Sequence, residues 1–469
     1  MNNVKRLLMT LIEGHANVLV KTNESGEIVD VFYQAVDTRM FETIWVGNPV
    51  DELPRIVPMI CGVCSATHHV CSAKAVDGVK GVEPPETAKL IRDIMNYGLH
   101  LNNQAMHLVA LGLPDFLPAE EKQRSMLMLA KTKPELVKAG VELVELGYKV
   151  VAVFGGRDIH PINAIPGGVA RAPSSSDVEK LVKLFEEKRI VVESFAKAAL
   201  AMLGENKAKI EKYKPGYRYM MAIDSGTPYN PTRGRVKIVD ANGSTVVEFS
   251  DTGTDYLKYL DEYTIDYSYV RMVVPKNGDL RRDSIMVGAL ARMNILKEYG
   301  VSWADEIRDR IFEEWGKPAR HPLLTHYARV AEVVALYEIL LGLLKEAKFS
   351  KPLANPPARN GGEGVGIVEA PRGTLIHHYK ADDNGRTTFI NVITPTTINA
   401  AAIEADLRES FVGHNISEFS DKQLYADVVA IVRAYDPCMS CSTHATRGYH
   451  PFRILVVDEN MRVVREVKI

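Results

Sequence analysis

The sequence has few cysteines, no surplus of charge and no long apolar run, and each shortage removes a class of protein. Five cysteines in 469 residues are too few for a disulfide scaffold, the device by which small secreted domains make up for a thin core. Lysine and arginine total 57 against 59 aspartates and glutamates, a formal net charge of -2. No global field therefore draws the chain to nucleic acid or to an anionic membrane. The most apolar helical stretch, Val330–Leu344, is interrupted by Glu332 and Glu338 and falls short of the ~20 apolar residues a membrane span needs. Residues 1–10 hold two basic residues but neither an extended apolar core nor a small-residue cleavage site, unlike a secretory signal. A cytoplasmic chain, tied to a membrane at most through a partner, is the expectation.

What is present is ordinary for a globular protein: 46% hydrophobic and 25% charged residues. Length alone allows two to four domains. There is no fixed-period repeat and no low-complexity linker, so the pattern reads as a single domain. Hairpin signals occur at residues 15–34, at 233–250 around Ala241-Asn242-Gly243, and at 373–393 around Asp382–Gly385. Helical spacing follows Pro84-Pro85-Glu86 through Leu108 and recurs over about 120–154, 176–213, 302–348, 398–411 and 421–435. Residues 452–469 alternate as two strands about Asp458–Asn460. The expected class is α+β, mainly α: a central bundle of long helices with small peripheral sheets.

Four of the five cysteines form two C-x-x-C pairs, Cys61/Cys64 and Cys438/Cys441, at opposite ends of the chain. Such a turn lets two thiolates point at one ion, and two turns together make an S4 set suited to zinc, iron, nickel or an iron–sulfur cluster. Zinc ribbons keep their pairs within about 20 residues of each other, and a domain this large needs no staple. A redox or catalytic metal is therefore ranked ahead of structural zinc, and zinc ahead of thiol–disulfide chemistry, for which the βαβ context is missing. A histidine follows each pair, His68 and His444, placed to donate to a thiolate or to bind a second ion. Cys71 has no partner and reads as a buried structural thiol.

At these residues the sequence resembles the large subunit of nickel–iron hydrogenases. The family's two signatures stand here as Met59-Ile-Cys-Gly-Val-Cys-Ser-Ala-Thr-His68 and Asp436-Pro-Cys-Met-Ser-Cys-Ser-Thr-His444. Further matches are Ile12-Glu-Gly-His15, Gly155–Pro161, Glu369-Ala-Pro-Arg-Gly373 and Thr394-Pro-Thr-Thr397, in family order across essentially the whole chain. The stretch Gly364–Tyr379 is most similar to the cytosolic, cofactor-coupled members.

The resemblance implies heterolytic cleavage or formation of hydrogen at a nickel bound by Cys61, Cys64, Cys438 and Cys441, with the metal site between the N- and C-terminal segments. Cys64 and Cys441 would also hold an iron that carries carbon monoxide and cyanide. Glu13 would take protons from the terminal thiolate Cys438. Arg372, with Pro371 beside it, would lie over the site, held by Asp115 and Asp436, and Thr396 would bond a cyanide. Glu42, the backbone of Val392 and His444 match a small magnesium or iron site. An iron–sulfur small subunit is implied as electron partner, since no spare cysteines remain, with further flavin or iron–sulfur subunits beyond it.

Two departures stand out: Leu11 and Met59 replace arginines of the family pattern. Residues 1–444 would form the hydrogenase domain. Residues 445–469 run past His444, where mature members end, so they form an extension open to a maturation protease, or one that is never trimmed. The rival readings are a metal-free hydrogenase-like subunit on the quinone side of respiratory complex I, which lacks the cysteine pairs, and a zinc-stapled structural protein.

Overall fold

The first hairpin joins the two ends of the chain. In the computed structural model, which describes residues 11–35, 41–118, 124–442 and 454–467, strands Ala16–Thr22 and Ile28–Ala35 pair antiparallel with Val18 opposite Tyr33. Their turn is closed by Asn23, whose Oδ1 accepts the Glu27 amide at 2.9 Å. Strand Ile454–Val457 then pairs in parallel with Ala16–Thr22, and Val463–Val467 returns beside it. The result is a four-stranded sheet that carries the start and the end of the described chain.

The other hairpins form where turn chemistry places them. Arg235–Val239 and Thr245–Ser250 flank the Asn242-Gly243 turn. Gly373–Ala381 and Thr387–Ile393 flank Asp382–Gly385 and gain a third strand, Gly362–Ala370, on the other edge. That third strand packs on helix Ser65–Lys80, and glycine permits the approach. A Cβ on Gly364 would sit 2.2 Å from the Ala75 carbonyl oxygen, and one on Gly366 2.5 Å from that of Cys71. Helix Ser65–Lys80 has no sequence signature because nearly all of it is buried, which leaves no polar stripe to contrast with an apolar one.

The long helices differ in detail from their spacing. Glu86–Met106 runs as expected and widens into a π-turn at His107–Gly112. The expected helix over 120–154 is two, Met126–Thr132 and Pro134–Gly155, because Pro134 has no N–H with which to continue the first. The expected helix over 176–213 is three: Ser175–Glu187, Arg189–Gly204 and Lys207–Lys212. Its second break follows Gly204, a poor helix former. Glu86–Met106 packs on both Pro134–Gly155 and Thr325–Glu346. One apolar core runs from Ile12 to Val467, and a smaller cluster lies around Ile223, Val236 and Ile376. The fold is thus mixed helix and strand with small sheets.

Candidate metal centre

Each cysteine pair is presented by a short turn that a neighbouring element pins. Cys61 ends the 3-10 turn Val57–Ile60 in extended geometry, and the Val63 amide folds back to donate to its sulfur at 3.3 Å. Cys64 sits at the start of helix Ser65–Lys80. At the other end, Asp436 takes a left-handed conformation, φ 54°, which aspartate tolerates better than most residues. The Cys438 amide then donates to Thr396 Oγ1 at 3.0 Å, in the first turn of helix Pro395–Phe411.

The two turns meet. Cys61 and Cys438 sulfurs are 3.4 Å apart, Cys64 and Cys441 2.9 Å, and Cys438 and Cys441 3.0 Å. All four lie within 4.8 Å of one another, and none is more than 4% exposed. An ion with metal–sulfur bonds of about 2.3 Å spaces its sulfurs roughly 3.3–4.6 Å apart in planar or tetrahedral sets, which is the same scale. Cys71 stays outside the cluster. Its thiol donates to the Gly366 carbonyl at 3.2 Å, and burial pushes its pKa up, as suits a structural thiol.

Four buried sulfurs cannot all be thiolates without a counter-charge. Hydrogen bonds from Cys438, Cys441 and Cys61 hold the Cys64 thiol well below the ordinary range. Cys438, through its bonds to Cys441, Cys61 and Cys64, is held well above it, and burial does the same for Cys441. A soft divalent cation removes that conflict by replacing the shared protons. The donor set therefore fits a thiolate-bound nickel.

Fixed charge surrounds the cluster. Arg372, 3% exposed, donates from Nε to the Asp436 carbonyl (2.8 Å), from Nη2 to Asp436 Oδ1 (3.1 Å) and from Nη1 to Asn103 Oδ1 (3.0 Å). Burial alone would lower its pKa. Asp436, Cys438, Cys64 and Cys61 raise it instead, so the guanidinium faces the sulfurs as a permanent cation. Asp115 does not share in holding it: its Oδ1 accepts from Arg433. Asn103, on helix Glu86–Met106, takes the place expected of Asp115.

Glu13 is half-buried and clamped to the cysteine turn itself. Its carbonyl accepts the Met439 amide at 3.0 Å, and its carboxylate accepts the Ser440 amide at 2.8 Å and the Ser440 hydroxyl. Gly14 makes this possible with φ +77°; a Cβ there would stand 2.5 Å from the Met439 Cβ. His68 lies one helical turn beyond Cys64 and shares a hydrogen bond of 3.0 Å with His377. Glu42 meets Val392, whose amide donates to Glu42 Oε1 at 3.4 Å. His444 lies outside the described residues.

Sequence spacing missed the charges behind Arg372. Arg292, fully buried, donates to Glu332 Oε1 (2.6 Å) and Glu369 Oε2 (2.8 Å), and to the carbonyls of Ala370 (3.0 Å) and Pro371 (2.9 Å). Gln104 also donates to the Pro371 carbonyl, at 3.2 Å. His107 Nδ1 lies 3.1 Å from Asp436 Oδ1. The available signal was Glu332 itself, a carboxylate in an apolar helix.

The comparisons with known proteins agree with this geometry. The model of the family described as nickel-dependent hydrogenase matches residues 39–125 and 229–444, and the chain belongs to that family. The chain is 34% identical to an iron-sulfur subunit of the F420-non-reducing hydrogenase of Archaeoglobus profundus, over 98% of each chain. It is 32% identical to the beta subunit of the NAD-reducing hydrogenase HoxS of Cupriavidus necator, again over 98% of each. Among solved structures, an NAD+-reducing nickel–iron hydrogenase in the H2-reduced state matches with TM-score 0.85 at 28% identity, covering 94% of this chain and 100% of that one. No described helix is long and apolar enough to cross a membrane.

Proposed function

We propose that this chain activates hydrogen in a cytoplasmic, multisubunit hydrogenase, and that its site residues act as follows. The observation that carries the proposal is the convergence of four buried sulfurs, from both ends of the chain, on a turn to which a carboxylate is also fixed. Cys61 and Cys438 would hold nickel, and Cys64 and Cys441 would hold nickel and iron together. The metal pair, when bound, supplies the centre at which hydrogen is polarised and its electrons are taken up.

The chain's own groups manage the proton. Cys438 receives it at Sγ, and Glu13, held on the 438–441 turn, accepts it and passes it outward. The Arg372 guanidinium, steadied by Asp436 and Asn103, would set a positive charge beside the iron's carbon monoxide and cyanide, and the Thr396 hydroxyl would be offered to a cyanide. Glu42, the backbone of Val392 and His444 would hold the magnesium or second iron. With Cys71 committed to structure, electrons leave through an iron–sulfur small subunit. From there they pass to a further flavin or iron–sulfur subunit.

Elemental analysis with infrared spectroscopy tests this reading. Nickel and iron together, with carbon monoxide and cyanide bands, are expected, and Cys441→Ser is expected to lose both metals. Zinc alone, or no metal, in active preparations overturns it. Residues 445–469 are read as an extension removed on maturation, which releases the strands now beside Ala16–Thr22. Intact mass of active enzyme is expected to show their loss, and full activity with them retained overturns that part.

A further inference from the structure

Beside the centre a helix and a strand interleave a row of polar side chains in an otherwise apolar interior. Cys64, His68 and Ser72 follow at four-residue spacing on helix Ser65–Lys80, so they share one face. His377 and Tyr379 follow at two-residue spacing on strand Gly373–Ala381, so they too share a face. Four helical residues rise about 6 Å and two strand residues about 6.6 Å, so the rows stay in step. His68 Nδ1 is 3.0 Å from His377 Nε2, His377 Nδ1 is 2.5 Å from the Tyr379 hydroxyl, and Tyr379 donates to Ser72 Oγ at 3.0 Å. None of these four is more than 1% exposed.

The direction of the last bond fixes the others. A hydroxyl has one proton, and that of Tyr379 is committed to Ser72, so toward His377 it can only accept. A singly protonated His377 ring then carries its proton on Nδ1 and accepts at Nε2, which makes Nδ1–H of His68 the donor between the rings. The nitrogen left on His68, Nε2, and the plane of its ring are then decided by residues of another element.

We propose that His377 and Tyr379 are positioning residues of the metal centre, which fix the tautomer and ring orientation that His68 presents to Cys64. The inference rests on reading the four thiols as metal ligands. Imidazoles beside metal sites are commonly oriented by such an outer partner, and a change in hydrogen bonding at a bridging sulfur alters how strongly it donates to iron. His68 stands one helical turn from Cys64, on the same face of the helix that begins there.

The test is infrared spectroscopy of loaded holoenzyme carrying His377→Leu, His377→Gln or Tyr379→Phe, with metal content measured in parallel. His377→Leu removes the partner of His68 and is expected to displace the carbon monoxide and cyanide bands. Tyr379→Phe is expected to displace them less, and His377→Gln, whose amide can still meet His68 Nδ1, to restore them toward wild type. Wild-type bands at unchanged positions in every loaded variant overturn the proposal while leaving the metal reading intact. Bands missing from the wild type overturn the metal reading itself. Should His377→Leu fail to load, Tyr379→Phe, which deletes one oxygen, decides alone.

Discussion

Asp436 holds Arg372 twice, once by its carbonyl (2.8 Å) and once by its carboxylate (3.1 Å), two residues before the ligand Cys438. The same residue therefore sets the path of the cysteine turn and the place of the cation above it. Burial opposes charge on Asp436, yet Arg372 and His107 bring its pKa down to about 2.

Asp436→Asn keeps the side-chain shape and tolerates the left-handed backbone, but leaves the arginine unmatched. A loss of about 3–5 kcal/mol is expected for breaking a buried pair from one side, read as a lower thermal midpoint with reduced metal content. The pH dependence has a definite sign. A carboxyl whose folded pKa lies below its ordinary value of about 3.9 adds stability above that value, which is lost as the pH falls toward 2. The variant should lack this part of the acid limb, as denaturation at about pH 2, 3 and 4 would show.

Glu13→Gln preserves the hydrogen-bonding outline on Ser440 but cannot accept a proton. Metal content and infrared bands are expected to match the wild type, whereas hydrogen–deuterium exchange should fall by at least ~100-fold, the usual scale of a lost proton-transfer group. Exchange at the wild-type rate would remove Glu13 from the proton path.

How much of this was legible depended on whether the signal was local. Asn242-Gly243 and Asp382–Gly385 announce their hairpins because the turn residues themselves carry the geometry. The cysteine spacing announces metal ligands, although nothing local says that Cys61 and Cys438 touch. Helix Ser65–Lys80 was illegible because burial on all sides erases the amphipathic period. Asn103, as an uncharged partner of Arg372, gave no charge to look for, and Asp115 did. Glu332 was legible only as an interruption of an apolar run, since its partner Arg292 lies 40 positions away.

Asp406 offers a pH test of opposite sign. It accepts from the Gly216 amide (2.7 Å) and the Tyr435 hydroxyl (2.6 Å), but burial still raises its pKa to about 7. Between its ordinary value of about 3.9 and 7 the folded protein holds more protons than the unfolded one, so stability falls as the pH rises through that window. Asp406→Asn, neutral throughout, is expected to flatten the slope of thermal midpoint against pH over that range. An unchanged slope would assign it to other groups.

Arg292 tests whether the segment before Arg372 is shaped by charge or by packing. It satisfies two buried carboxylates, Glu332 and Glu369, and two consecutive carbonyls, Ala370 and Pro371. The second of those carbonyls immediately precedes the arginine of the centre. Arg292→Met would leave both carboxylates without a counter-charge and free the Ala370 carbonyl, with only Gln104 left on that of Pro371, in a site closed to water, so a loss of about 3 kcal/mol or more is expected, the cost of an uncompensated buried charge. Glu369→Gln is different. Burial already raises the Glu369 pKa, and an amide oxygen can still accept from Arg292, so a loss of about 1–2 kcal/mol is expected, that of one ill-matched buried hydrogen bond. If charge shapes the segment, Arg292→Met should also lose nickel, and Glu369→Gln should keep it. Equal stability and equal metal content in the two variants would show that packing alone holds the strand, and that the arginine is a passenger.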